Sequence, residues 1–237
     1  MNNLDRFIIE FNYLHKEIAK RLNRNENTEF GKLFNELTEK NKSLKPYVNS
    51  IDTARKLRNI LVHEPIRNNF TIAEPSDEII KSLRDVRIKI EHPNTVKLFH
   101  KDVIILDVNN TLIDVLNIIK EYSITQFPVF ENNNFIGMLS DNGISKWLAS
   151  VTKQELVDLT EINLKEVINQ DESRNSFVIV KSNLPLFEVE KSITKKIKEK
   201  GYSNIVVLIT PLEKIKSKDD IKGIITPWDL PDLFERI

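Results

Sequence analysis

The chain has 237 residues, 40% hydrophobic and 30% charged, which is room for two globular domains and too apolar for a disordered one. Its formal net charge is zero, which excludes a chain that holds long nucleic acid by bulk charge; an RNA contact needs a local patch, and no DNA partner is expected. Cysteine is absent, which excludes disulfides and thiolate metal sites, and no stretch is long enough to span a bilayer, so a cytoplasmic protein is expected.

From Leu4 to Leu22 the apolar residues Leu4, Phe7, Ile8, Phe11, Leu14, Ile18 and Leu22 recur at three- and four-residue steps, which predicts an amphipathic helix. A polar break over Asn23–Thr28 precedes a second helix from Glu29, with Phe30, Leu33, Phe34 and Leu37 inward, fading in Lys40-Asn41-Lys42-Ser43. A third starts near Pro46 or Asn49, uses Ile51, Ala54, Leu57 and Leu61, and stops at Pro65, whose ring steers the residue before it out of the helical region. The fourth opens on the capping pattern Ser76-Asp77-Glu78, carries Ile79, Ile80, Leu83, Val86 and Ile90, and closes at Pro93. Residues 1–92 therefore read as an all-α bundle.

After the junction His92–Val96 the pattern changes. Val103–Val108 reads as a strand, Leu112–Tyr122 as a helix, and Phe127–Phe130 with Phe135–Leu139 as a hairpin across Glu131–Asn134. A helix from Ser140 carries Ile144, Trp147 and Leu148, and a polar helical stretch is expected over Lys153–Asn169. Phe177–Val180 is then a strand, Leu186–Lys200 a helix, and Ile205–Ile209 with Ile221–Ile225 a hairpin. The charged tip of that hairpin, Pro211–Lys218, is expected to be mobile.

These segments form an internal repeat. Gly223-Ile224-Ile225-Thr226-Pro227-Trp228-Asp229 reappears as Gly137-Met138-Leu139-Ser140-Asp141-Asn142-Gly143, and Lys120–Val129 aligns with Lys198–Val207. Each glycine starts a buried strand that ends on a hydroxyl and turns into a helix, where Thr226 can cap and Pro227 fits the first turn. Such a helix start suits a phosphate, and Asp229 is an acceptor for ribose hydroxyls. The repeat, residues 93–237, resembles a tandem pair of CBS domains, a Bateman module, with copies at about 94–151 and 164–237. In that family a glycine, two apolar residues, Ser or Thr, two variable residues and Asp form a ribose-phosphate motif. The resemblance implies an α+β chain whose β-α-β-β-α repeats bind an adenine nucleotide (AMP, ADP, ATP or a related adenosyl ligand) as regulatory ligand. Thr226 and Asp229 complete the motif in the second copy. In the first, Ser140 matches but Gly143 stands where the aspartate belongs, so one competent pocket or an unequal pair is expected. The bland alternative is that both motifs only cap helices.

In the helical part, Arg58-Asn59-Ile60-Leu61-Val62-His63 ends the third helix. Five residues of ideal helix turn by about 140°, so Arg58 and His63 do not share a face unless the chain bends at Pro65 or a partner chain supplies the histidine. A helix C-terminus favours imidazolium, and Arg55, Lys56 and Arg67 make the surroundings basic while Glu64 weakens them. Here the chain resembles the HEPN family, whose ribonuclease members carry Arg, a polar residue, a short spacer and His in a helical bundle. The resemblance implies a homodimer that cleaves single-stranded RNA with no metal or other cofactor required for catalysis. Arg58 would hold the scissile phosphate, His63 act as general acid or base, and Asn59 orient one of them. The other reading of the same residues is a salt-bridged helix cap and a solvated imidazole, in a non-catalytic nucleotide sensor whose bundle dimerises or binds a protein partner.

Overall fold

The computed structural model describes residues 1–63, 73–152, 156–202 and 204–237, the His63 side chain excepted. They divide into two compact units, Met1–Asn94 and Thr95–Arg236.

The first unit is a helical bundle of α1 (Asn3–Leu22), α2 (Phe30–Lys40), α3 (Val48–His63) and α4 (Asp77–Glu91). Asn2 caps α1 by accepting the Asp5 N–H at 2.7 Å, and Asn23 ends it in the left-handed region at φ 52°. Phe7, Phe11, Leu14 and Ile18 of α1 meet Phe30, Leu33, Phe34 and Leu37 of α2, Ile51 and Ala54 of α3, and Ile80, Leu83, Val86 and Ile90 of α4. A buried carboxylate, Glu10, lies among them and is paired with Arg84 at 3.0 Å and Arg87 at 3.3 Å, as a charge taken from water requires. Pro46 lies in a 3-10 turn, Lys42–Tyr47, and α3 begins after it. Pro65, the expected stop, lies outside the described residues, as do Glu64 and Arg67.

The second unit contains the same fold twice. In the first copy β1 (Leu106–Asp107), α5 (Leu112–Tyr122), β2 (Gln126–Glu131), β3 (Asn134–Ser140) and α6 (Asp141–Ser150) follow in order. In the second, α7 (Leu164–Gln170) leads into β4 (Phe177–Lys181), α8 (Leu186–Lys200), β5 (Val206–Thr210), β6 (Gly223–Ile225) and α9 (Leu230–Glu235). β1 runs parallel to β2 and β2 antiparallel to β3, with Leu106 beside Val129 and Val129 beside Gly137. β4, β5 and β6 repeat the pattern, with Ile179 beside Leu208 and Leu208 beside Ile224. The two sheets share apolar contacts through Met138, Val206, Leu208 and Ile224, and Phe135 sits edge-on to Phe177 at 5.0 Å.

The segment that leads into each copy packs on the other copy. Thr95 bridges Pro185 and His100 bridges Gly223, so the run from Thr95 to Lys101, ahead of β1, lies along the second sheet. In return Asn163 bridges Thr111, and Leu164, Val167 and Ile168 of α7 enter the first copy's core with Phe127, Leu139 and Trp147. This exchange shortens the strand expected at Val103–Val108: the Lys101 N–H donates to the Lys222 carbonyl at 3.1 Å, and only Leu106–Asp107 is left to pair with β2.

One other expectation changes. Among the described residues of the stretch 153–169, helix starts only at Leu164. Asp158 accepts from both the N–H and the hydroxyl of Thr160, a local turn that competes with helix, and Asn163 then caps α7. The C-terminal end of the second hairpin's tip is hydrogen-bonded back to the chain. Asp220 accepts from the N–H groups of Lys216 and Ser217, and Lys218 reaches Asp107 at 3.1 Å.

Candidate functional site

Thr226 and Asp229 are brought together at the end of β6. The Asp229 Oδ2 accepts from the Thr226 N–H at 2.7 Å and from its hydroxyl at 2.8 Å, while Oδ1 holds the Lys101 ammonium at 3.2 Å. Pro227–Asp229 form a 3-10 turn that leads into α9. Both side chains are partly accessible; that of Asp229 is 25% exposed and that of Lys101 45%. In the run from Thr95 to Lys101, burial depresses the His100 pKa, and Lys97 and Lys222 lie close enough to add to the effect. The His100 ring meets the Ser182 hydroxyl at 3.0 Å. The Thr226–Asp229 bonds are the reciprocal capping box of the helix start, and the same hydroxyl, carboxylate and Lys101 ammonium are groups that a sugar with an attached phosphate would engage. Trp228 projects from the turn, 90% exposed.

Burial pushes the Asp229 carboxyl up, but the Thr226 N–H and hydroxyl and the Lys101 ammonium outweigh it, and the net shift is downward. A carboxylate depressed in the folded state stabilises the fold above its ordinary value and loses that contribution as pH falls through the depressed one. Asp229→Asn should therefore be less stable than the parent at pH 7. Urea titrations at decreasing pH should show the gap closing as the parent's carboxylate protonates. A gap independent of pH would mean that the charge contributes nothing.

The first copy is built differently. Ser140 is 4% exposed, and its N–H and hydroxyl both donate to Asp171 Oδ2 at 2.8 Å. Its Oγ accepts the Gly143 N–H at 3.1 Å, which caps α6. Asp171 itself is 4% exposed, and its Oδ1 accepts the Ser173 N–H at 2.7 Å. Neither Asp171 nor Lys101 belongs to a motif in the sequence. The one signal for Asp171 was the glycine standing where an aspartate was due.

In the bundle, Arg58 and Asn59 lie on the second half of α3. Asn59 is exposed, whereas Arg58 is partly buried with its guanidinium 5.9 Å from the Phe11 ring centroid. The His63 side chain is outside the described residues, so the Arg58–His63 geometry is too. Among the described residues there is no cluster of His, Asp and Glu that could hold a metal ion, and no helix long and apolar enough to cross a membrane.

Residues 96–150 match the family model of the CBS domain. The chain thus matches the CBS domain over its first repeat. Among solved structures it is similar to a conserved CBS-domain protein of unknown function from Thermoplasma acidophilum, at 21% identity and TM-score 0.41, over 59% of this chain and 68% of that one. It is similar also to a CBS-domain pair solved with 5′-methylthioadenosine and S-adenosyl-L-methionine, at 18% identity and TM-score 0.40, over 60% and 99%. The CBS domain of a bacterial CNNM/CorC-family Mg2+ transporter, solved with ATP, matches at 15% and 0.39, over 61% and 87%. Likeness at this level carries no ligand or activity across to this chain. No curated protein matches.

Proposed function

We propose that the chain is an adenine-nucleotide sensor, with the pocket at Thr226 and Asp229 of the second repeat and the helical bundle as its output. The observation that carries this reading is the Thr226–Asp229–Lys101 arrangement, in which a hydroxyl, a carboxylate and an ammonium converge at the end of a strand in a CBS-like fold. Calorimetry with AMP, ADP and ATP tests it. Asp229→Ala removes two charged hydrogen-bond acceptors and should weaken binding by at least about tenfold. Equal affinity in the variant would put the pocket elsewhere.

The output we propose is metal-independent cleavage of single-stranded RNA by paired bundles, with Arg58 on the phosphate, His63 as general acid or base and Asn59 orienting them. What supports this reading is the order Arg58, Asn59, His63 at the end of α3 in an all-α bundle. A nucleotide gates such an output only by binding two arrangements of a homodimer with unequal affinity. Labelled RNA incubated in EDTA should give cyclic-phosphate ends, and His63→Ala should abolish them while leaving nucleotide binding intact. The second reading, a non-catalytic bundle that dimerises or binds a partner, is favoured by the position of Arg58 over the Phe11 ring, a packing role. Intact RNA under every nucleotide would establish it.

A further inference from the structure

The two copies of the motif reach the same hydrogen-bond pattern by different routes. At the second, a carboxylate three residues after the hydroxyl accepts from both the N–H and the Oγ of Thr226. At the first, Asp171, 31 residues along the chain, accepts from the same two groups of Ser140, at distances within 0.1 Å of the other pair. The side chain missing at Gly143 makes this possible. A Cβ there would lie 2.2 Å from Asp171 Oδ2 and 2.3 Å from its Cγ, closer than atoms approach.

The difference is one of access. Asp229 keeps one oxygen on an exposed lysine at the protein surface. Both Asp171 oxygens are taken by donors of the chain itself, and the carboxylate and Ser140 are sealed from solvent. Just beyond Asp171, Arg174 Nε donates to the Ile136 carbonyl at 2.8 Å and its side chain lies against Gly137, so the segment is fixed to β3 at a second point.

We propose that Asp171 is a built-in occupant of the first repeat's motif, which closes that site to nucleotide and latches the lead segment of the second repeat onto the first. The chain then takes one nucleotide, at Thr226 and Asp229. The count of one rests on the sensor reading above; the latch does not. Calorimetry with ATP should give one equivalent per chain for the parent, one weakened at least about tenfold for Asp229→Ala, and two for Asp171→Ala, whose first motif is vacated. Hydrogen exchange supplies the second arm. In Asp171→Ala the amides of Ser140 and Ser173 lose their acceptor and should exchange at least about tenfold faster, with Asp171→Asn intermediate. Two equivalents on the parent, or still one equivalent in Asp171→Ala, would overturn the closure. Unchanged Ser140 exchange in both variants would overturn the latch. A parent that gives no heat with ATP, ADP or AMP sinks the sensor reading, and the exchange arm still decides the latch.

Discussion

Gly223→Ala should lower the stability of the second unit by about 3 kcal/mol, the upper end for one methyl forced into a packed site. The Cβ would sit 2.4 Å from the Phe99 carbonyl oxygen and 3.2 Å from the His100 Cα, which are backbone atoms without rotamers to yield. Relief requires the lead segment to part from β6, breaking the bond from the Lys101 N–H to the Lys222 carbonyl. Thermal melting followed by circular dichroism should register a drop of roughly 6–12 °C for a unit of this size. A melting point within a degree of the parent's would mean that the segment from Thr95 to Lys101 does not lie on the second sheet in solution. Gly201 is the internal comparison. A Cβ there has nothing within 4 Å, so any cost of substitution comes from its φ of 71° alone.

Gly143→Asp should damage the protein more, although it restores the family's motif. The new Cβ would overlap the Asp171 carboxyl, and a second carboxylate would arrive where one is already sealed from water. Overpacking and an unpaired buried charge together put the cost above about 4 kcal/mol. Pairing the change with Asp171→Ala should recover much of the loss, because the new carboxylate could then accept from Ser140 as Asp229 does from Thr226. Denaturant unfolding of both single variants and the double closes the cycle, and a double variant no better than the sum of the singles would refute the exchange of roles.

Much of this fold was legible because its determinants are local. The three- and four-residue spacing of Phe7, Phe11, Leu14 and Ile18 marks a buried helix face, and those residues are buried. The doubled glycine, apolar pair and hydroxyl marked two strand ends, and Gly137–Ser140 and Gly223–Thr226 lie at equivalent places in their sheets. Most of what escaped was set by partners distant in sequence. Nothing in Thr95–Lys101 is periodic, so its pairing with the second sheet, and the shortened β1 that follows, had no signal. The polar stretch before α7 read as helix on composition, but side-chain acceptors at Asp158 and Asn163 divert it into turns. At the site, Thr226 and Asp229 carry their own partner three residues away and could be paired on paper. Ser140 could not, since its carboxylate comes from the next repeat. Arg58 was legible as a position on a helix, but the ring it covers was not.

The traded lead segments also bear on how such a protein can be cut and rearranged. Excised as residues 94–151, the first half would leave behind Leu164, Val167 and Ile168, which fill its interior, and would carry off the run that covers Gly223. The halves behave as two clasped hands: a nick in the connector between them leaves the grip intact, whereas a boundary drawn at the repeat unit strips both. A workable excision keeps the pair whole, and a duplication that inserted a third copy would have to break the clasp before it could join.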